Sequence, residues 1–301
     1  MSISAAQFAI LGVAAFALTG LLTWPVRALA IRLGAMDAPN MARKTQAEPV
    51  PYLGGVAIAL GISLITLGAV FVGADNFAGE NNDQLKDLAL TVLLPALLLG
   101  AMGLFDDLRS LSPWPRLIMQ TVVGSIVAFV IVENGTIGTP FGQASATDSG
   151  SWINTAVTIF WIVGICNSIN FFDNLDGAAS GAVAIAALGV FVIAFDRGQE
   201  LVSALSIVTA GATIGFLMWN KSPAKIYMGD AGALFLGIII SVATIRLNPG
   251  ITPTWQSLAI PVILLAVPLL DTCVAVFSRL ACIPACSDDR CFHGLSVTDC
   301  Q

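Results

Sequence analysis

Charged side chains are scarce in this chain, and their scarcity excludes an ordinary soluble domain. Only 11% of the 301 residues are charged and 56% are apolar, against roughly 25% and 45–50% in soluble domains. The mean hydropathy is +0.87. Because the apolar runs are spread along the whole chain, we predict a single membrane-embedded domain.

Several other sequence signals are missing. Basic residues, 13 against 19 acidic ones, are too few for a nucleic-acid-binding surface. The absence of a Walker loop argues against a nucleoside triphosphatase, and no apolar run alternates as a barrel strand does. The first run has neither a positive flank nor a small-residue cleavage site before Pro25, so we expect a retained helix rather than a signal peptide.

Cysteine and histidine are rare until the end of the chain. The last twenty residues hold four of the six cysteines and the one histidine, at Cys282, Cys286, Cys291, His293 and Cys300. A zinc site is one interpretation, but the spacing matches no familiar pattern of zinc ligands. We therefore divide the chain into a membrane-embedded domain, residues 1–280, and an atypical Cys-rich tail, residues 281–301.

Nine charge-free apolar runs are long enough, or nearly so, to cross a bilayer core of about 30 Å. They are residues 3–24, 52–73, 88–105, 117–132, 152–169, 177–195, 201–219, 231–245 and 258–270, the last extending to 277. Prolines blur the ends of the shortest runs, near Pro95, Pro261 and Pro268. We predict an all-α polytopic integral membrane protein with about nine transmembrane helices.

The basic residues are divided unequally between the two sides that nine spans define. Ten of the 13 fall in one set of loops, whereas the other set has three among eight acidic residues. The positive-inside rule places the first set in the cytoplasm and the N-terminus outside. Every unusual polar cluster belongs to the cytoplasmic set, namely residues 37–55, 106–107, 167–176, 220–232 and Asp271. We expect one site assembled from several loops at that face.

The segment 166–177 is the most unusual of these clusters, because it has amides and carboxylates at three-residue intervals between two apolar runs. On a helix, Asn170, Asp173 and Asp176 fall within an arc of about 120° and can face one ligand. Carboxylates at membrane depth are costly and indicate a functional polar cavity. The alternative is a cluster that only caps and solvates a helix end.

Two further segments suit metal-assisted phosphoryl transfer. Asp106 and Asp107 are adjacent carboxylates whose repulsion a divalent cation or a proton would relieve, although a solvated helix end is again the alternative. Asp230, in Tyr-Met-Gly-Asp-Ala-Gly at 227–232, is a hard oxygen ligand suited to magnesium. Cations for phosphate groups occur on the same face, at Arg43, Lys44, Arg116, Lys221 and Lys225.

In combination, these motifs resemble one family. They are Asp-Ala-Pro-Asn at 37–40, Arg-Lys at 43–44, Pro-Tyr-Leu-Gly-Gly at 51–55, Asp-Asp at 106–107, the Asn and Asp series at 167–177, Pro-Ala-Lys-Ile-Tyr-Met-Gly-Asp-Ala-Gly at 223–232 and Pro-Leu-Leu-Asp at 268–271. In this order the chain resembles the polyprenyl-phosphate N-acetylhexosamine-1-phosphate transferase family over about residues 37–279. The resemblance implies a Mg²⁺-dependent transfer of a sugar 1-phosphate from a UDP-sugar to undecaprenyl phosphate, with release of UMP. It also implies a bacterial cytoplasmic membrane and a first step of cell-surface polysaccharide synthesis, such as that of O-antigen.

The resemblance also implies a role for each matching residue. Asn170 and Asp230 match the metal ligands. Four carboxylates match catalytic positions. Asp106 and Asp107 match a pair of aspartates of which one deprotonates or orients the lipid phosphate, and Asp173 and Asp176 match carboxylates on the nucleotide side. Substrate binding is implied for six residues, among which Arg116 meets the diphosphate and Asn220 and Tyr227 contact or stack on uracil. The six are Arg43, Lys44, Arg116, Asn167, Asn220 and Tyr227.

Two departures from the family keep other functions open. Gln46 replaces a histidine that many relatives have, and the tail lacks their basic His-rich loop and further spans. Truncation or a shifted reading frame after about Leu280 would leave a catalytically impaired homologue or a scaffold. A secondary transporter is a further alternative, against which the one-sided polar clusters and the absence of a repeat argue.

The partners expected from the sequence are a UDP-sugar, undecaprenyl phosphate and the lipid bilayer, without nucleic acid, and a homodimer is left open. Among sugars, the simpler N-acetylhexosamine branch fits better than the muramoyl-pentapeptide branch.

The charge bias leads to a topology prediction. Single cysteines introduced near Asp173 or Lys221 should resist impermeant thiol reagents in intact cells, because these loops are assigned to the cytoplasm. Single cysteines at Asn82 or Gly142 should react. Labelling of the Asp173 loop from outside would show that the assigned orientation is wrong.

Overall fold

The computed structural model describes residues 3–37, 49–76, 89–109, 111–133, 151–251 and 257–285. The elements in chain order are α1 (Ala5–Leu33), β1 (Met36–Asp37), β2 (Val50–Pro51), α2 (Gly54–Asn76), a π-helical turn (Ala89–Leu93) leading into α3 (Leu94–Arg109), α4 (Pro113–Glu133), α5 (Ser151–Phe172), α6 (Ala178–Asp196), α7 (Glu200–Asn220), α8 (Gly229–Arg246), α9 (Ala259–Leu264) and α10 (Ala266–Ala285). The prediction of an all-α protein is confirmed, with one short antiparallel ladder added.

Six helices within the described ranges are long and apolar enough to cross a membrane. They are Ala5–Leu33, Thr91–Arg109, Trp152–Phe172, Ala178–Asp196, Glu200–Asn220 and Gly229–Arg246. The chain is therefore a polytopic membrane protein. The remaining predicted spans correspond to α2, α4 and the pair α9 and α10, and the count of nine and the orientation stay predictions.

Two predicted span ends differ in the structure, both at prolines. α1 does not end near Trp24 but continues through Pro25 to Leu33, because a membrane helix tolerates the loss of one backbone hydrogen bond. The ninth predicted span is instead broken between α9 and α10. Pro268 has no N–H to donate to the carbonyl of Leu264, so the helical ladder is interrupted there.

α8 is the central helix of the bundle. Every residue from Ala231 to Thr244 is buried, and α8 contacts α2, α3, α5, α6 and α7. A helix that is apolar on all sides has to be enclosed by other helices. The first residues of α8 are therefore held in place by several neighbouring elements.

α1 packs against α7 through small residues, which allow two helix backbones to approach closely. A Cβ atom at Gly211 would collide with the carbonyl of Gly12 and lie 3.2 Å from the Cβ of Ala15. One turn later, a Cβ atom at Gly215 would collide with the carbonyl of Phe16. Glycine at these two positions therefore allows the close contact between α1 and α7.

Backbone hydrogen bonds join β2 and the start of α2 to the segment that precedes α8. β1 and β2 pair antiparallel, and the N–H of Tyr227 donates to Pro51 O (2.8 Å). The N–H groups of Gly54 and Gly55 donate to the carbonyls of Tyr227 (2.9 Å) and Met228 (2.8 Å). Unpaired donors at the start of α2 are thereby satisfied, and the segment before α8 is fixed.

Substitution of Gly211 tests the close contact between α1 and α7. Gly211→Ala should lower the free energy of unfolding by about 1–3 kcal/mol, because a methyl group there forces the helices apart. Gly181→Ala is the matched control, since no atom lies within 4 Å of that Cβ position. Thermal unfolding in detergent measures both, and equal melting temperatures for the two variants would contradict the predicted contact.

Candidate active site

Four aspartates from three parts of the chain converge on the start of α8. Asp106 and Asp107 lie in the last turn of α3, Asp173 follows the end of α5, and Asp230 is the second residue of α8. Their negative charges act on one another. We call these four residues the aspartate cluster. With Asn170, which donates a hydrogen bond to Asp230, the structure thus brings together five of the six residues that were predicted as catalytic or metal-binding.

Asp230 contacts both an amide and a cation. Its Oδ1 accepts a hydrogen bond from Nδ2 of Asn170 (2.6 Å), a residue in the last turn of α5. Its Oδ2 accepts from Nη1 of Arg116, and the same nitrogen donates to Oδ2 of Asp106. A single guanidinium group therefore bridges carboxylates from α3 and α8.

Asp106 is almost fully enclosed, with 5% of its surface exposed. Besides the ion pair with Arg116, its Oδ1 accepts the backbone N–H of Leu111. Arg116 is more open, with 29% of its side chain exposed. A ligand can therefore reach Arg116 and Asp230, the latter with 25% of its side chain exposed, more easily than Asp106.

Asp107 has a different environment from its neighbour in the sequence. Its Oδ1 accepts the backbone N–H of Asp230 (2.9 Å), and its Oδ2 accepts that of Ala231 (3.1 Å). Both N–H groups belong to the first turn of α8, where no helical acceptor exists. Asp107 therefore acts as a cap for α8 that is supplied by another helix.

Asp173 completes the cluster from the side of α5. Its backbone N–H donates to Ile169 O (3.1 Å), so it still belongs to the last helical turn. Desolvation raises the pKa of this carboxyl well above its usual range, and the negative charges of Asp230 and Asp107 act in the same direction. The backbone N–H of Gly229 hydrogen-bonds the carboxylate and offsets part of this effect.

The prediction that Asn170, Asp173 and Asp176 share one helical face is wrong for Asp176. α5 ends at Phe172, and the chain reverses through Gly177, which has φ 75°. Asp176 consequently lies in the turn, where its Oδ2 accepts the backbone N–H of Ala224 (2.9 Å). It contacts the loop before α8 and not the aspartate cluster.

Tyr227 lies beside Asp176 in that loop. Its environment raises the pKa of the phenol to about 12, first because the ring is desolvated and then because Asp176 and Asp37 are negatively charged nearby. The phenol is thus a neutral hydrogen-bonding group at physiological pH. Asp37, the first residue of the polar cluster at 37–55, belongs to this second polar group.

The two predicted asparagine ligands of substrate have partners within the protein. Asn220 is 1% exposed, donates to Ile226 O (3.1 Å) and accepts from Oγ of Ser180 (2.9 Å). Asn167 donates to Oε1 of Gln120 (2.6 Å). Both amides hold neighbouring segments of the site in place, and their contact with a substrate stays a prediction.

Three other positions were singled out in the sequence analysis. Arg43 and Lys44, predicted to bind substrate, lie outside the described residues. Asp271, the fifth polar cluster of the sequence analysis, has an exposed side chain on α10. Within the described ranges, no hydrogen bond or ion pair links it to the aspartate cluster.

Among the described residues, no group of three carboxylate, imidazole or thiol side chains has the arrangement of a metal site. The contacts explain this, because Asp107 is turned toward the backbone of α8 and Arg116 lies between Asp106 and Asp230. The same contacts show that a positive charge fits between these two carboxylates. Hard carboxylate and amide oxygens in this position suit a divalent cation.

Two residues that hydrogen-bond the asparagines of the site, Gln120 and Ser180, were not predicted from the sequence. Gln120 is buried and was counted as part of an apolar span, although a lone amide in such a run is itself a signal of a buried partner. Ser180 follows the polar segment by one helical turn and was also overlooked. Neither side chain is charged, and for this reason no role in the site was predicted for either residue.

This chain is similar to known proteins over most of its length. Residues 89–248, which include the aspartate cluster, match the model of glycosyl transferase family 4. A Bacillus subtilis protein named probable undecaprenyl-phosphate N-acetylglucosaminyl 1-phosphate transferase is 34% identical over 264 residues, which are 87% of this chain and 69% of the relative.

Two other relatives have related names. Decaprenyl-phosphate N-acetylglucosaminephosphotransferase of Mycobacterium tuberculosis is 30% identical over 91% of this chain and 71% of its own length. Phospho-N-acetylmuramoyl-pentapeptide-transferase of Streptococcus thermophilus is 32% identical over 66% of this chain and 59% of its own length. The resemblance inferred from the motifs is confirmed, and the chain belongs to glycosyl transferase family 4.

Proposed function

We propose that this protein transfers a sugar 1-phosphate from a UDP-sugar to undecaprenyl phosphate in a bacterial cytoplasmic membrane. N-acetylglucosamine is the proposed sugar, because two of the relatives are named for it. The reaction would be an early membrane step of cell-surface polysaccharide synthesis. The observation that carries the proposal is the aspartate cluster with Asn170 and Arg116 at the end of a membrane-spanning bundle.

In the proposed reaction, an oxygen of the lipid phosphate attacks the phosphorus that bears the sugar. The bond between this phosphorus and the bridging oxygen of the diphosphate breaks, and UMP leaves with that oxygen. The product is a lipid diphosphosugar, and no redox step occurs. Such a transfer depends on positioning the two anions and on neutralising their charge.

Arg116 is suited to bind the diphosphate. A guanidinium donates in a planar fork that matches two phosphate oxygens, and this one is the most exposed member of the ion-pair network. In the structure it is bound by Asp106 and Asp230. A phosphate group that approaches Arg116 therefore competes with two carboxylates already in place.

Asn170 and Asp230 are the residues that would hold the metal ion, for which we propose Mg²⁺. When bound, the ion would neutralise charge on the diphosphate and stabilise the leaving group. Of the paired aspartates, Asp106, at the shared guanidinium, is the one proposed to accept a proton from the lipid phosphate or to orient it. Asp176 and Tyr227, in the loop before α8, are proposed for the nucleotide side.

Asp230→Asn tests the assignment of the metal ligand. The variant should stay folded in detergent but release UMP at least about 100-fold more slowly, because the substitution removes a charge that acts at the diphosphate and leaves the core packing unchanged. The assay contains radiolabelled UDP-N-acetylglucosamine, undecaprenyl phosphate and Mg²⁺. Addition of a chelator to the wild type should have a similar effect.

Asp196→Asn serves as the matched control, since Asp196 is an exposed residue at the end of α6. It undergoes the same chemical change and should keep the wild-type rate. An Asp230→Asn protein with near-normal turnover would show that this carboxylate has only a structural role. A folded wild type that releases no UMP from any UDP-N-acetylhexosamine would instead contradict the proposed reaction.

The raised pKa of Asp173 predicts how stability depends on pH. Between the unfolded value of about 3.9 and its raised folded value, this carboxyl binds more protons in the folded state than in the unfolded state. Its contribution to stability therefore falls as the pH rises through that interval. In metal-free buffer, Asp173→Asn should melt at a higher temperature than the wild type at neutral pH and show a weaker decrease from acid to neutral pH.

The same variant should lose activity, since a carboxylate that is retained against a desolvation cost is expected at a functional site. Thermal unfolding across the pH range, with EDTA present, measures the first effect, and Asp196→Asn is again the control. A lower melting temperature for Asp173→Asn at neutral pH would show that the carboxylate stabilises the fold.

A further inference from the structure

The two adjacent aspartates at the end of α3 have separate tasks in the structure. Asp106 binds Arg116, whereas Asp107 accepts two backbone N–H groups at the start of α8. The sequence analysis gave the role of deprotonating or orienting the lipid phosphate to one of the two, without a choice between them. Only the first is in contact with a side chain of the proposed phosphate-binding network.

The junction between α3 and α8 leaves little freedom for the Asp107 carboxylate. Gly229 adopts φ 73°, and a Cβ atom there would lie 2.7 Å from Oδ2 of Asp107 and 2.9 Å from the carbonyl oxygen of Tyr52. On α3, a Cβ atom at Gly103 would lie 2.5 Å from the carbonyl oxygen of Asp230. The two backbones meet at glycines, and the carboxylate fills the space that remains.

This contact determines where Asp230 points. Asp107 holds the backbone N–H of Asp230, and the side chain of that same residue contacts Asn170 and Arg116. A shift of the first turn of α8 would therefore move Asp230 relative to both partners. Displacement of a catalytic group by about 1 Å can cost two orders of magnitude in rate.

The cap also affects where phosphate groups can bind. Backbone N–H groups at a helix start ordinarily attract phosphate, but those of Asp230 and Ala231 already donate to Asp107. Among the described residues next to the aspartate cluster, the partly exposed Arg116 is therefore the phosphate-binding group that remains.

We propose that Asp107 is a positioning residue that caps α8 and sets the place of Asp230, and that it does not take up the proton of the lipid phosphate. The inference rests on the proposed function for its kinetic consequences, but the cap itself can be tested without turnover. Asp107→Asn keeps one oxygen acceptor in the same place, and asparagine caps helices about as well as aspartate. Asp107→Ala removes the acceptor.

The kinetic test compares these two variants with the wild type and with Asp196→Asn. A positioning role predicts that Asp107→Asn lowers kcat by about tenfold and Asp107→Ala by about 100-fold. The KM for the UDP-sugar should stay within about twofold, and the shape of the pH profile of kcat should not change. If Asp107 takes up the proton, both variants should be equally inactive and the acid limb of the pH profile should be altered, which would overturn the inference.

Hydrogen exchange of the full-length protein in detergent tests the cap directly. The amides of Asp230 and Ala231 should exchange about tenfold faster in Asp107→Ala, to a smaller extent in Asp107→Asn, and at the wild-type rate in Asp196→Asn. Unchanged exchange in Asp107→Ala would overturn the inference, whether or not the enzyme turns over. A wild type without UMP release would contradict the proposed function alone, since the exchange rates still decide whether Asp107 holds α8.

Discussion

The start of α8 has to satisfy backbone N–H groups inside a bundle, and three carboxylate contacts do so. The N–H of Gly229 bonds Asp173, and those of Asp230 and Ala231 bond Asp107. These donors have no acceptor within the helix, and leaving a buried one unpaired costs about 1–3 kcal/mol. The same contacts that complete α8 therefore bring carboxylates of α3 and α5 to Asp230.

The aspartate cluster concentrates negative charge, and the arrangement includes one cation in contact with it. Arg116 binds Asp106 and Asp230, while Asn170 donates a further hydrogen bond to Asp230. Buried carboxylates need such partners, because the charged form is poorly solvated inside a protein. Because these carboxylates are paired with Arg116 and Asn170, a metal ion can replace these partners at the carboxylates while an anionic substrate binds Arg116. The proposed chemistry uses that property.

Much of the architecture could be predicted from hydropathy, because length and apolar composition decide whether a helix can cross a membrane. The residues of the cluster were also found from their unusual position beside apolar runs. The prediction was less successful where the backbone changes direction. A regular helix was assumed through Asp176, but the reversal at Gly177 sends that side chain toward Ala224. Likewise, α1 passes through Pro25, and the last predicted span breaks near Pro268.

The sequence by itself determined that this is a helical membrane protein with carboxylates, amides and cations at the ends of its spans, and its motifs were sufficient to recognise the family. Only the tertiary structure decided which of these groups meet. Asp106 and Asp107 are neighbours in the chain and look alike in the sequence, yet one binds a guanidinium and the other caps a helix. The reason is that successive side chains on a helix point about 100° apart, so their partners depend on which element is packed on each side.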